Sequence, residues 1–485
     1  MSTAARDVVV NIAQAPDGQS AEITRVFEKQ QAQALKLRRA SAEDRIYKLK
    51  KLKQMVLDNS AAIHEACYKD FRKRSAEVDL VEVLPIIIEV NEAIRKTKRW
   101  MKDIRVPTTM AMLGTQASVK MEPKGVTLIV SPWNYPLNLT ISPLVSALAA
   151  GCTAILKPSE MTPYCSQLME DMCRATFDEA DVAVFQGEVK TSQDLLALPF
   201  DHIFFTGSPA VGKIVMNAAS KHLTSVTLEL GGKSPAIFDK SANLKKHLGS
   251  LIWGKFANNG QTCIAPDLTY VHADIKDEFL ATAKSKLEEM YGKIDSIKDN
   301  KDYCRIVNSK HYDRIKDLLE DATSNGAKVA FGGFSDDSED FMAPTMLTDV
   351  SPDAKMMQEE IFGPLMPVVF FNDVQEVIDD INSRPKPLAL YTYAKDEDFI
   401  EKVLNNTTAG GTCINTAMMQ YLHGNLPFGG VNNSGIGSAH GYYGFKSFSH
   451  ERAVLRDRFS SSFLMMPPYT PFTQKLIDWT TKYFV

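Results

Sequence analysis

Cys263 lies in FANNGQTCIAPD, residues 256 to 267, among small, polar and turn-forming residues rather than the apolar neighbours of a buried structural thiol. Three other stretches give that cysteine a chemical context. LELGGKSP, residues 228 to 235, sets Glu229 at the end of an apolar run before a double glycine. Desolvation there raises a carboxyl toward the range of a general base, and an edge glutamate paired with a lysine is the alternative. SPWNYPL, residues 131 to 137, holds Asn134 between two prolines, where its amide either faces a developing oxyanion or is a turn residue. HIFFTGSPAVGK, residues 202 to 213, runs into Gly207, four further residues and Gly212. Free N–H groups at such a strand-to-helix turn attract phosphate, although the spacing is neither GxGxxG nor a Walker A loop and a plain turn reads the same. A nucleophile, a base, an oxyanion donor and a phosphate turn are together the parts that oxidise a carbonyl through a covalent intermediate.

Parts of this kind need a scaffold that brings distant stretches to one place. GVTLIVSP, CTAILKP, DVAVFQG, HIFFTG and SVTLELGG, between residues 125 and 232, read as short buried strands separated by helical segments. That alternation predicts an α/β fold with a doubly wound parallel sheet of the nucleotide-binding kind. Beyond Gly232 a second α/β cycle follows, with helices around 243 to 257, 276 to 291 and 310 to 325 alternating with LTYVHA, LMPVVFF and LALYTYA. The domain boundary falls near residue 230. Residues 20 to 105 are helical in pattern, with a capping box at Ser41 to Asp44 ahead of Ile46, Leu49, Leu52 and Val56, and with Lys48, Lys50, Lys51 and Lys53 on a solvated face.

The chain has 485 residues, 44% of them hydrophobic and 24% charged, and its 55 basic and 59 acidic side chains leave a net charge of -4. That balance gives no global field for nucleic acid or an anionic membrane and favours small-molecule chemistry. The seven cysteines form no CxxC or Cys/His cluster, which reads as reduced thiols without metal. The first residues lack the pattern of a secretory signal, so a cytoplasmic location is expected. In the tail, Phe472, Leu476, Trp479 and Tyr483 predict a packed terminal helix. Lys475, Asp478 and Lys482 interrupt it too early for a membrane span.

WNYPLNL, AILKPSE, FTGSPAVGKIVMNAASKHLTSVTLELGGKSP, GQTCIAPD, EEIFGPLMPV and LPFGGVNNSGIG, spread over residues 20 to about 455, resemble the NAD(P)-dependent aldehyde dehydrogenase superfamily. The similarity is greatest to its class 3 branch of aromatic, fatty and coniferyl aldehyde dehydrogenases. The resemblance implies that Cys263 is the nucleophile, Glu229 the base, and the Asn134 side chain with the Cys263 backbone N–H the oxyanion hole. It places Lys157 and Glu160 at the adenosine ribose, Gly207, Ser208 and Gly212 at the pyrophosphate, and Glu360 and Phe362 at the nicotinamide end. Pro209 stands where the family often has threonine, which removes one N–H donor. Tyr135, Trp253 and Phe428 would line the substrate tunnel, core packing being the alternative for each. The implied layout is a Rossmann-type cofactor domain (1–105 and 122–228), a catalytic domain (229–430), a small oligomerisation sheet (106–121 and 445–456) that pairs two copies into a homodimer, and a tail (457–485) free to lie over the tunnel mouth or touch a membrane surface. The resemblance further implies an aldehyde substrate and NAD or NADP as cofactor, with NAD preferred because Glu160 repels a 2′-phosphate. Glu229, as a hydrolytic base, argues against a relative that passes the acyl group to coenzyme A.

Overall fold

The five apolar runs between residues 125 and 232 form the parallel strands Val126–Val130, Thr153–Lys157, Val182–Val184, His202–Thr206 and Ser225–Glu229. In this computed structural model, which describes residues 18–109, 112–459 and 466–484, the first of these strands is central. The second and third lie outward on one side and the fourth and fifth on the other. Strand order therefore reverses between Val126–Val130 and His202–Thr206. At such a reversal the loops leaving the carboxyl ends diverge and open a crevice. The strands are buried on both faces, which is why they read as continuous apolar runs.

A seven-stranded sheet follows, ordered Lys328–Phe331, Thr345–Thr348, Leu365–Phe371, Leu268–His272, Pro235–Phe238, Ala389–Tyr393 and Gly411–Ile414. All neighbours are parallel except the first pair. The chain then returns: Gly435–Ile436 pairs antiparallel with the Glu229 strand, Gly435 opposite Glu229, and so ties the two sheets together beside the candidate base. A third sheet joins Ile104–Val106, Thr115–Pro123 and Ser449–Asp457, overlapping the segments expected for oligomerisation. Residues 110 and 111 of those segments, and the N-terminal stretch 1–17, lie outside the described residues.

Two local expectations are corrected. The Ser41 capping box is present, but Arg45 is more deeply buried than Ile46. Its guanidinium donates to the carbonyls of Ala149 and Ala150, at 3.1 and 2.5 Å, and satisfies the free C-terminal acceptors of helix Asn138–Ala150. Lys48 is likewise not simply solvated, since it pairs with Asp181 at 2.6 Å. The second correction concerns the tail. Pro471–Phe484 is a helix that is only partly packed: Thr473 is buried and Leu476 half-buried, but Phe472, Ile477, Trp479 and Tyr483 are exposed. Among the described residues no helix is long and apolar enough to cross a membrane.

Candidate active site

Sheet register gathers the first group of side chains. Val130 lies beside Lys157 and Phe205, and Thr206 beside Glu229, so the loops carrying Asn134, Glu160 and Gly207 leave the same edge on which Glu229 ends. The Gly207 N–H donates to the Glu229 carbonyl at 3.0 Å and locks the two loops together. Cys263 arrives from the other sheet, after helix Leu244–Phe256 and a tight turn over Ala257–Gly260. Asn258 and Asn259 there take left-handed backbone angles (φ 49° and 57°), which asparagine tolerates better than most residues.

The polar residues of that turn fix the loop from beneath. The Asn258 N–H donates to the Glu77 carboxylate at 2.8 Å, and its side chain donates to the carbonyls of Asn134 and Gln261 at 2.9 and 3.1 Å. Gln261 in turn donates to the carbonyls of Asn258 and Arg305. One N–H of the buried Asn134 amide is spent on the Gln261 carbonyl, at 3.0 Å. An amide nitrogen carries two donors, so the other is free for the cavity that Asn134 lines.

Three cavities meet at Cys263. One, of about 230 Å³, is walled by Trp133, Asn134, Gly207, Glu229, Glu360 and Phe362. A second, of about 240 Å³, is apolar and lined by Tyr135, Trp253, Met418, Tyr421 and Leu422. The third is a chamber of about 30 Å³ between Glu229, Tyr421, Phe428 and His440. Of the seven cysteines Cys263 is the one that is only half-buried, the other six being buried. Phe428 lines the small chamber at Cys263, whereas Tyr135 and Trp253 line the apolar cavity. Lys157, Glu160 and Gly212 lie outside the walls of the 230 Å³ cavity. Lys157 is buried and its ammonium binds Glu160 at 2.8 Å. Gly212 sits in helix Pro209–Ser220, where a Cβ would crowd the Leu230 side chain, so close helix–strand packing explains that glycine.

Burial sets the electrostatics. Neither oxygen of Glu229 has a hydrogen-bond partner, and desolvation raises its carboxyl well above the usual range. No lysine pairs with it, which removes the alternative left open by the sequence. Burial also pushes the Cys263 thiol up to about 12, with the carboxyls of Glu360 and Glu229 adding to the effect. The ligand-free thiol thus keeps its proton, and attack requires a group that takes it. Behind the cysteine, Asp267 is a hub: its carboxylate binds Lys233 at 2.6 Å, lies 3.8 Å from Lys255 and accepts from the Ile361 N–H at 3.1 Å. It joins the Cys263 loop to the EEIFGP loop.

The residues present fit a dinucleotide. Glu360 Oε1 is buried without a partner, burial pushes its carboxyl up to about 8, and a Cβ at Gly231 would collide with its other oxygen, so the glycine makes room for this side chain. Phe362 is held at φ 49°, a strained angle for an aromatic, and meets Trp133 edge to face at 5.3 Å. Ser208 caps helix Pro209–Ser220, whose first turn presents free N–H groups, one fewer for Pro209. Among the described residues no group of three or more His, Cys, Asp or Glu could hold a metal ion.

The profile described as "Aldehyde dehydrogenase family" matches residues 6–454. The chain belongs to the aldehyde dehydrogenase family. It is an oxidoreductase acting on aldehydes, of a family that uses NAD(P)+. It is 40% identical over 435 residues to aldehyde dehydrogenase family 3 member A2 of Pongo abelii, covering 90% of this chain and 88% of that one. It is 41% identical over 415 residues to the dimeric NADP-preferring aldehyde dehydrogenase of Rattus norvegicus, covering 86% and 90%. Among solved structures, Staphylococcus aureus AldH in a substrate-bound state matches with a TM-score of 0.90 and 39% identity, covering 94% of this chain and 99% of that one. The similarity to family 3 members agrees with the branch to which the motifs pointed.

Several wall residues of this aldehyde dehydrogenase escaped the sequence reading. Trp133 was inside SPWNYPL, and Thr262, whose hydroxyl bonds the Tyr135 hydroxyl at 2.6 Å, is adjacent to Cys263. Position beside a selected residue was the available signal. His311, with its ring 4.7 Å from Trp133, and Arg314, which donates to the Ile361 carbonyl at 2.5 Å, lie in an unremarkable amphipathic helix. Tyr421 and His440 carry no local signal at all.

Proposed function

We propose that this aldehyde dehydrogenase oxidises apolar aldehydes to carboxylic acids through an acyl intermediate on Cys263. The observation that carries the reading is the placement of the one accessible cysteine where three cavities meet, with an unpaired buried carboxyl, Glu229, on two of them. Glu229 removes the thiol proton, and the sulfur adds to the carbonyl carbon. The oxyanion so formed faces the free Asn134 N–H and the Cys263 backbone N–H. When bound, NAD(P)+ supplies the hydride acceptor. Loss of hydride from the sulfur adduct leaves a thioester. Once Glu229 has given up the thiol proton to solvent, it takes a proton from water, the oxygen adds to the acyl carbon, and the C–S bond breaks to release the acid.

For the cofactor, Glu360 and Phe362 would hold the nicotinamide end, Gly207 and Ser208 the pyrophosphate, and Lys157 with Glu160 the adenosine ribose. Gly212 contributes packing rather than contact. NAD is preferred because the Glu160 carboxylate opposes a 2′-phosphate, although the name of the rat relative records the opposite preference for that protein. The apolar lining around Tyr135 and Trp253 selects aromatic or medium-to-long alkyl aldehydes. The domain layout is the one given by the motifs, with the cofactor on the six-stranded sheet. Strand Ser449–Asp457 leaves nearly every side chain exposed at the edge of its sheet, which supports pairing of two copies there. Sedimentation as a single chain would refute that pairing. The enzyme acts in the cytoplasm, a placement that cell fractionation checks.

NADH formation across a panel of aromatic and C6 to C16 aldehydes tests the substrate class, with Cys263→Ser as the control. The variant should lose oxidation while still binding cofactor, because an alkoxide is far harder to form than a thiolate. Retained turnover would move the chemistry elsewhere.

A further inference from the structure

The mechanism leaves Glu229 with a proton that must depart before the next turnover. Both of its oxygens are buried and unpartnered, and the same group must be unprotonated to begin each hydrolysis. The 30 Å³ chamber that Glu229 shares with Cys263 has room for about one or two waters by ordinary cavity criteria. Its titratable lining residues are Glu229, Cys263, Tyr421 and His440.

His440 stands out among them for two reasons. It takes φ 68° and ψ 142°, a conformation glycine favours, although the next residue is itself a glycine. An imidazole is kept where the backbone would be easier without a side chain. Its orientation is also determined. Nδ1 lies 3.5 Å from Glu89 Oε2, the other Glu89 oxygen accepts the Gly441 N–H at 2.8 Å, and the ring packs edge to face on Tyr421 and Phe428, with centroids 4.6 and 5.4 Å apart. The Glu89 carboxylate lies on the Nδ1 side, which favours the tautomer with the proton there and Nε2 as acceptor. The His440 side chain keeps 11% of its surface exposed, whereas both Glu229 oxygens are buried.

We propose that His440, oriented by Glu89, carries the proton between the Glu229 carboxyl and solvent across this chamber. After Glu229 has taken a proton from the attacking water and the C–S bond has broken, the carboxylic acid gives that proton through chamber water to His440 Nε2. The imidazolium, held by Glu89, gives up a proton to bulk solvent. The departing thiolate takes the proton of the new carboxylic acid, so the balance is one thioester and one water consumed, and one carboxylate, one thiol and one proton released. The charged and titratable groups that face the imidazole are Glu89 from helix Leu84–Trp100, Tyr421 from the turn Met419–Leu422, and Glu229 with Cys263 across the chamber.

This inference rests on the proposed thioester mechanism, and the test separates the two. Rapid mixing with saturating NAD and hexanal reads the NADH burst for acylation and the steady rate for hydrolysis. His440→Gly, which relieves the backbone and leaves space for a free base, should keep the burst and lower the steady rate about tenfold or more, the scale of a lost acid–base group. Added imidazole should restore the rate. His440→Gln, which fills the space, should be as slow and should not respond. A native steady rate in either variant overturns the proposal, and so does a parallel loss of burst and steady rate that imidazole leaves unchanged. Failure of the underlying mechanism shows separately, as no acyl group on Cys263 in the unmodified enzyme.

Discussion

Replacing Glu229 by glutamine tests the chemistry and the electrostatics of the site together. The amide matches the carboxyl in size, and that carboxyl has no hydrogen bond to lose. Folding should therefore survive. A positioned general base contributes about 10² to 10⁴ in rate, or roughly 3 to 5 kcal/mol of barrier, and hydrolysis of the thioester should slow by that factor. If water attack alone is affected, a burst of NADH remains and mass spectrometry finds the acyl group on Cys263. The same substitution changes the dependence of stability on pH. A carboxyl whose native pKa is raised binds its proton in the folded chain after the unfolded chain has lost it. Above the unfolded pKa the folded state then holds the extra proton, and stability falls as pH rises, by up to about 1.4 kcal/mol per pH unit, until the native pKa is passed. Glu229→Gln removes that loss, so the variant should gain stability over the wild type between mildly acidic and alkaline pH. Stopped-flow absorbance and denaturant unfolding across pH read the two effects. A native steady-state kcat would refute the base assignment, and stability curves that stay parallel across pH would refute the buried, unpaired carboxyl.

Glu160→Ser should shift the ratio of kcat/KM values toward NADP, with the larger effect at low salt. The Glu160 side chain is 40% exposed and already paired with Lys157, so screening limits the gain to about 1 kcal/mol, roughly fivefold; an unmoved ratio removes Glu160 as the discriminator. The exposed aromatic side of helix Pro471–Phe484 suits the interfacial zone of a bilayer. The full chain should co-sediment with anionic phospholipid vesicles and a chain ending before residue 466 should not, and equal partitioning of the two would show that the tail makes no membrane contact.

Much of this enzyme was legible in one dimension because its requirements are local. A parallel strand buried on both faces needs a continuous apolar run, and all five strands around the switch point were visible as such. Cys263 was legible because its loop must be small and polar, and Glu229 because a carboxylate ending an apolar strand is out of place. The second sheet was only partly readable. Pro235–Phe238 and Gly411–Ile414 are four residues long and gain strand character from their neighbours in the sheet.

What the tertiary structure alone decided is how residues far apart in sequence share one space. Arg45 is charged and reads as surface, yet it is buried because helix Asn138–Ala150 ends against it with free carbonyls. Phe428 was placed near the site by its motif, but its contact with His440 exists because the return strand Gly435–Ile436 draws that segment against Glu229. The His440–Glu89 contact spans 351 positions and has no periodicity or spacing by which a sequence could announce it. Sequence patterns record what each segment needs for its own burial and turns. Contacts between segments depend on how two sheets dock, which is set by packing summed over the whole core, and so the residues that complete this site become visible only in the fold.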